Sequence, residues 1–370
     1  MKLKGHVKAV SQRNRNNRCC AVYSVTNSRG FTPSTDYFSK EIYSKDLSTY
    51  KLVEKGMIAY NPSRINVGSV ALQDKAECVI VSPLYVVFCV DETLLCPEYV
   101  TYFLKSEPGL RQIDFRSIGT VRNNFTFDAL EKMELRVPSV EDQLHVVSII
   151  RRVESVIEST KQKSNQLDDL VKSRFVEMFG DLLKNSKGQT LDDISELITV
   201  GIANAATHAY ADKGTIMLRN LNIRENRLDD ADLISIRPEF AAKYKKKALK
   251  SGDILVTRTG YPGVACIVPE KYAGCQTFTT LIVRLDASSG ASATFVSQYI
   301  NSPLGKEYVN KMKAGSSQQN FGATSLKSMP IVVPPLALQQ EFADFVTQVD
   351  KLRFEACYAM YLLCAAFTLL

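Results

Sequence analysis

The chain has no tryptophan and only three histidines, His6, His145 and His208, scattered through 370 residues. A zinc site built from His and Cys therefore has little to draw on, and no metal is expected. Its nine cysteines include no CxxC pair, which argues against a disulfide framework and for reduced thiols in a cytoplasmic protein. Long apolar runs are missing too. The one such stretch, Ala359 to Leu370, falls short of the ~20 residues that a membrane-spanning helix needs. The N-terminus is basic but lacks the apolar segment of an export signal, so no membrane partner is expected. Also absent are GxxxxGKS/T, GxGxxG after a strand, HExxH and GxSxG, the motifs that cradle nucleotide phosphates, hold catalytic zinc or present a nucleophilic serine. A nuclease-like carboxylate and lysine cluster stays open, because Asp and Glu are plentiful.

A strong excess of one sign of charge is missing as well: 46 Lys+Arg stand against 39 Asp+Glu, a formal net charge of +7. Most of that excess is local. Lys2, Lys4, Lys8, Arg13, Arg15 and Arg18 precede the first acidic residue, and the remainder is close to neutral. With 45% hydrophobic and 23% charged residues, the composition is that of a globular protein with room for two domains of ~150 residues.

What is present is an internal repeat at a constant offset of 196 residues. Residues 99–147 lie over 295–343 without a gap, with 11 identities in 49 positions against roughly three from average usage. Gly109, Gly119, Asn124, Phe125, Leu130 and Met133 match Gly305, Gly315, Asn320, Phe321, Leu326 and Met329. Val137-Pro138 and Gln143 then match Val333-Pro334 and Gln339, and Gly56-Met-Ile-Ala59 falls on Gly252-Asp-Ile-Leu255. Each unit reads as α+β. Strands are expected at 78–81, 85–90 and 135–137 in the first, and at 254–256, 264–268 and 281–285 in the second, with short helices at 97–106 and 293–302.

After Val137-Pro138 the period changes. Val146, Ile150, Val153, Ile157, Leu167 and Val171 recur at heptad spacing, with Thr160 and Ser164 as polar members, and nothing breaks the helix from Glu141 to Gly180. Such a helix cannot bury its stripe alone. The segment after Val333-Pro-Pro335, with Phe342, Phe345 and Val349 on the same spacing, is the expected partner. If it returns antiparallel, the two modules are related by a pseudo-twofold axis, which suits a ligand with two half-sites such as duplex DNA.

Donor-rich loops recur in both modules. The first has Asn61, Arg64 and Asn66, then Arg122, Asn123 and Asn124; the second has Thr257 and Arg258, then Gln318, Gln319 and Asn320. Arg, Asn and Gln can make bidentate contacts to base edges, while Ser, Thr and loop amides suit phosphates. Lys245, Lys246 and Lys247 form a run that would attract phosphate. Each loop taken singly reads more readily as a turn, and the Lys run equally well as a solvated surface.

Two such modules, each ending in Val-Pro-x-x-x-x-Gln and leading into a long helix, resemble the specificity subunit of type I restriction-modification systems. The segment from Gln166 to Asp181 is similar to the end of that family's central conserved helix, and Gly-x-x-x-x-Asn-Phe at 119–125 and 315–321 also fits. The resemblance implies two target recognition domains, 1–140 and 181–336. It implies a spacer helix at 141–180, and at 337–370 a second conserved helix that closes an antiparallel coiled coil. It further implies a non-enzymatic reader of bipartite double-stranded DNA, docking two modification subunits and recruiting restriction subunits. S-adenosylmethionine, ATP and Mg would reside on those partners, leaving no cofactor here. Arg64, Asn66, Arg122, Asn123 and Asn124, with Arg258, Gln318, Gln319 and Asn320, are the contacts it carries over. Two departures are expected. The apolar sequence after Arg353 reads as a truncated or aberrant second helix, and the first module lacks a sequence counterpart of Gln189 to Ile198. The alternatives are a coiled-coil scaffold whose modules bind protein, an enzyme with a hidden site, or a truncated, non-functional specificity subunit.

Overall fold

The computed structural model describes residues 1–15, 18–37, 46–117, 124–184, 189–203, 207–313 and 320–368. The chain divides into two compact units, Met1–Val156 and Ile157–Leu370.

Each unit is built on a four-stranded antiparallel sheet of the same topology. In the first, β1 (Val7–Val10), β2 (Ile58–Tyr60), β3 (Val70–Leu72) and β4 (Val86–Val90) lie in the order β1-β4-β2-β3. In the second, β5 (Ser195–Val200), β6 (Ile254–Val256), β7 (Ala265–Ile267) and β8 (Leu281–Leu285) lie in the order β5-β8-β6-β7. The central strands are short and apolar throughout because both faces are covered. On β2, Ile58 and Tyr60 point into one core with Phe88, Leu104 and Ile113, while Ala59 points into another with Val25, Val53 and Val79. On β6, Ile254 and Val256 join Phe295 and Ile300, while Leu255 faces Leu218, Cys266 and Ile282. Successive side chains of a strand point to opposite faces, so each sheet is the middle layer of a three-layer module. The expected strand at 135–137 is instead a single extended crossing, in which Leu135 N–H donates to Met1 O at 2.9 Å.

The helical layer explains the repeated residues. In the first unit α1 (Pro97–Lys105) turns into α2 (Glu107–Arg116); Ser106 caps the second helix through Gly109 N at 3.3 Å. Further along the chain come α3 (Val140–Lys184) and then α4 (Ala293–Asn301), which turns into α5 (Pro303–Met312) with Ser302 capping Gly305 N at 3.3 Å. A Cβ at Gly109 would collide with Phe103 O, and one at Gly305 with Tyr299 O and Ile300 O, so the two helices meet this closely only over glycine. Gln143 and Gln339, both buried, are clamps. Gln143 accepts from Cys96 N at 2.8 Å and donates to Leu94 O and Pro138 O; Gln339 accepts from Ser292 N at 2.8 Å and donates to Gly290 O and Pro334 O.

The first module, though it lacks a sequence counterpart of the second's leading edge, has its structural counterpart. Leu3 N–H donates to Met133 O at 3.0 Å, as Leu191 N–H does to Met329 O at 2.9 Å, and β1 pairs with β4 as β5 pairs with β8. The match was hidden because these edges stand at an offset of 188, not 196, and their pairing is made by backbone.

The long helix α3 has 45 residues, exceeding the expected 141–180 at both ends, and α6 (Leu336–Thr368) has 33. The latter stays helical beyond Arg353 because no Pro or Gly interrupts it. Within the second unit the contacts run antiparallel: Asp168 meets Arg353 at 2.6 Å, Arg174 meets Glu341 at 2.9 Å, and Phe179 packs on Phe342 at 5.5 Å. Of the seam residues, Val171, Phe342 and Val349 are buried, Leu167 and Phe345 pack against the same core, and Ile150, Val153 and Ile157 are half-buried. Val146 is corrected: it is exposed, and Val147 takes the buried position.

Candidate nucleic-acid interface

In each unit a concavity opens at the same rim of the module, where the loop after the central strand meets the turn before the next sheet strand. In the first unit it measures about 420 Å³ and is lined by Asn61, Ser63, Pro83, Leu84 and Asn124 among others. The second measures about 730 Å³ and includes Arg219, Asn220, Arg224, Thr259, Tyr261 and Thr279. Ser63 and Pro83 correspond at the repeat offset to Thr259 and Thr279. The same hydrogen bond closes each rim: Phe125 N–H donates to Pro62 O at 3.0 Å, and Phe321 N–H to Arg258 O at 2.9 Å. This bond explains the Asn-Phe element, since Phe125 and Phe321 are wholly buried anchors that set the preceding Asn on the rim.

Several expected contact residues come together here. Arg258 Nε donates to Asn320 Oδ1 at 3.0 Å, although 62 residues separate them. Asn124 is exposed beside Asn61, whose Oδ1 accepts from Ser63 N at 3.0 Å. Arg64 is exposed and Asn66 half-buried on the short turn that follows. Arg122, Asn123, Gln318 and Gln319 lie outside the described residues. Thr257 is corrected. It lies at the inner wall of the second concavity but is 2% exposed, and its hydroxyl donates to Tyr261 O and accepts from Val264 N at 2.9 Å, so it shapes the loop. The Lys run divides: Lys245 and Lys246 are exposed, but Lys247 Nζ donates to Val200 O at 2.8 Å and Gly201 O at 3.1 Å. In the basic arm, Arg18 meets Glu54 at 3.0 Å.

Other residues of the interface were not singled out in sequence. Arg219, Asn220 and Arg224 come from a short turn that the chain's order leaves far from Arg258, and only the composition Arg-Asn-Leu-Asn hints at it. Asn220 Nδ2 donates to Thr259 Oγ1 at 2.8 Å, while Asn220 Oδ1 and Arg219 Nε are buried with no partner among the described residues. Thr279 holds φ at 58°, a left-handed conformation that costs a β-branched residue energy and is retained here at the cavity wall. In the first unit the hairpin of 23–26 and 30–33 brings Asn27 to a smaller cleft of about 110 Å³ with Asn61 and Arg64.

The second concavity is tied to the helices by Glu225, which lines it and also accepts from Lys172 of α3 at 2.8 Å and from Lys306 of α5. Burial opposes ionisation of Glu225, but the hydrogen bonds from Lys172 and Lys306 outweigh it and hold the carboxyl below its usual range. Among the described residues no cluster of three His, Cys, Asp or Glu could hold a metal, and no helix is long and apolar enough to cross a membrane. The arrangement offers donors, acceptors and exposed positive charge on two matching rims.

Comparison with known proteins places this arrangement. The chain is 35% identical over 112 residues to the EcoEI type I restriction enzyme specificity subunit of Escherichia coli, covering 28% of this chain and 19% of that protein. It is 25% identical over 281 residues to the StySPI specificity subunit of Salmonella potsdam, covering 70% and 59%, and 19% identical over 279 residues to the EcoKI specificity subunit of E. coli K12, with the same coverage. The chain thus spans at most 59% of the length of these curated relatives. In fold it is similar to the type I restriction-modification S subunit from M. genitalium, with TM-score 0.54 at 13% identity, covering 99% of this chain and 92% of that one. A chain of a type I system solved to explain complex assembly and conformational transition gives TM-score 0.51 at 14% identity, covering 99% and 95%. Residues 14–169 and 184–356 each match the type I restriction modification DNA specificity domain, and the chain belongs to that family.

Proposed function

We propose that the chain is the DNA-reading specificity subunit of a type I restriction-modification complex, with each module reading one half of a bipartite duplex target. The observation that carries this reading is the repetition of one rim with a changed donor: Ser63 and Asn124 of one unit are answered by Thr259 and Asn320 in the other, but Arg258 stands where the first unit has Pro62. An identical scaffold with altered donors is what reading two different half-sites requires. The paired helices act as a coiled-coil ruler for the unread spacer. They also dock two modification subunits, which carry the S-adenosylmethionine chemistry, while restriction subunits bring ATP and Mg. The chain itself is non-catalytic and works in the cytoplasm, where the host DNA lies.

The test is reconstitution with modification subunits, followed by methylation-aware sequencing of the treated DNA. A split motif with a constant unread gap supports the reading. Methylation at a single continuous motif, or none that depends on this chain, overturns it.

A further inference from the structure

Exposed apolar side chains are ordinary one at a time, so their placement must carry any argument. Among the described residues three large hydrophobic side chains are more than three-quarters exposed: Leu84 at 79%, Phe115 at 85% and Tyr261 at 84%. Two of these three stand at the rims of the two equivalent concavities, Leu84 in the first unit and Tyr261 in the second. They are not at repeat-equivalent positions, since Leu84 sits on the turn before β4 and Tyr261 on the loop after β6. The two modules thus present an apolar tip at the same place from different loops.

Both tips are stiff. Tyr261 follows Gly260, with φ at 76°, and precedes Pro262-Gly263, with φ at 88°. The buried Thr257 hydroxyl holds Tyr261 O, Gly263 N–H donates to Thr257 O at 2.9 Å, and a Cβ at Gly263 would press on Val309. Leu84 follows Pro83; Tyr85 N–H donates to Ser82 O at 3.0 Å, and Lys51 Nζ donates to Tyr85 O at 2.6 Å. A projecting side chain on a loop fixed in this way loses little freedom when it inserts into a partner. Behind each tip is an open space whose wall mixes apolar and polar groups, the apolar predominating in the second unit, where Asn220 Oδ1 and Arg219 Nε lie beneath the surface.

We propose that Leu84 and Tyr261 are wedges that press between adjacent base pairs, one in each half-site, and that the concavity behind each receives the displaced base edge. The inference rests on the reading of the chain as a DNA-binding subunit and adds to it a mode of recognition by deformation. Apolar wedges open flexible steps most readily, so each half-site then includes a pyrimidine–purine step at the wedge. Exposed side chains at the walls, Asn124 in the first unit and Arg224 in the second, supply hydrogen bonds to the edge so exposed.

The test uses the full chain assembled with its modification subunits on a duplex carrying its target, with 2-aminopurine placed by turns at each non-methylated purine position. The wedge predicts bright fluorescence at one step in each half-site with the wild type. Leu84→Ala should quench the first signal alone and Tyr261→Ala the second alone, each weakening binding about 10-fold, Tyr261 by loss of one base–aromatic stack and Leu84 by loss of apolar burial. Tyr261→Phe should retain both signal and affinity, because the ring and not the hydroxyl acts. Unchanged melting of the free proteins, expected for residues this exposed, separates these effects from misfolding. Unaltered fluorescence and affinity in both alanine variants, with both half-sites still protected from cleavage, overturns the wedge and leaves bipartite reading intact. Loss of modification-subunit binding instead of DNA binding also overturns it, by making the tips protein contacts. If the wild-type complex protects no bipartite site at all, the underlying DNA-reading assignment fails, not the wedge alone.

Discussion

Replacing Gln339 tests the idea that the Val-Pro-x-x-x-x-Gln signature is a structural clamp. The side chain is 1% exposed and makes three hydrogen bonds: it accepts from Ser292 N at 2.8 Å and donates to Gly290 O at 2.9 Å and Pro334 O at 2.7 Å. Together they fasten the start of α6 to the loop that begins α4. Gln339→Ala removes all three and leaves one donor and two acceptors with reduced access to water. A typical bond contributes about 1 kcal/mol net, and an orphaned buried group costs about 1–3 kcal/mol. Allowing for water entering the space left by the truncated side chain, the expected loss is about 2–4 kcal/mol in the second unit. For a unit of this size that lowers the midpoint of its melting by roughly 4–16 °C. Gln339→Met keeps the volume but not the bonds, so it should lose nearly as much. Gln339→Glu keeps the acceptor but sets a carboxylate against two carbonyls, and should do worse than Met at neutral pH. The assay is hydrogen exchange of β6 and β8 under native conditions, because two units need not unfold together and a single melting curve would blend them. A Gln339→Ala protein within 0.5 kcal/mol of wild type would refute the clamp, as would a Met variant that restores full stability.

Gly305→Ala should destabilise the second unit by roughly 1–3 kcal/mol or more, since its Cβ meets backbone oxygens of Tyr299 and Ile300, and urea midpoints would register this. Arg258→Ala should relax base preference in one half-site only, by ~1–3 kcal/mol in competition binding; equal weakening on all sequences would make Arg258 a phosphate contact. Glu225 has a lowered carboxyl pKa in the folded state, so its stabilising effect is complete above the unfolded value near ~4.3 and is lost as pH falls through the folded value. Glu225→Gln should therefore flatten the acid limb of the stability profile, and an unaltered limb would count against the Lys172 and Lys306 pairing. Burial pushes the Cys266 thiol up to about 12, so labelling of the native protein near neutral pH should mark exposed Cys20 and Cys357 and spare Cys266 in the peptide mass map.

Much of this organisation is legible in the sequence, and the reason lies in which residues the fold makes irreplaceable. Gly109 and Gly305 repeat because helix backbones touch there, Gln143 and Gln339 because each satisfies three backbone groups, and Phe125 and Phe321 because each anchors a rim. Side-chain chemistry at such points cannot drift without loss, so the repeat survives where little else does. The leading edges of the modules escaped notice for the opposite reason. Their pairing of Leu3 with Met133 and Leu191 with Met329 runs through backbone amides, which nearly any residue supplies. Val146 was misplaced by one because adjacent Val146 and Val147 are chemically equal, and only the helix's actual rotation buries the second.

The candidate site divides the same way. Sequence alone determined that two like modules are joined by long amphipathic helices, and that Arg, Asn and Ser cluster in matching loops, because periodicity and composition are local properties. It also pointed to Arg258 and Asn320 separately. Only the tertiary structure decided that these two touch, that Thr257 and Lys247 are turned inward, and that Arg219, Asn220 and Tyr261 share their rim. Whether a polar side chain faces solvent or satisfies a buried neighbour depends on which distant backbone groups the fold has left without partners, and no local pattern encodes that.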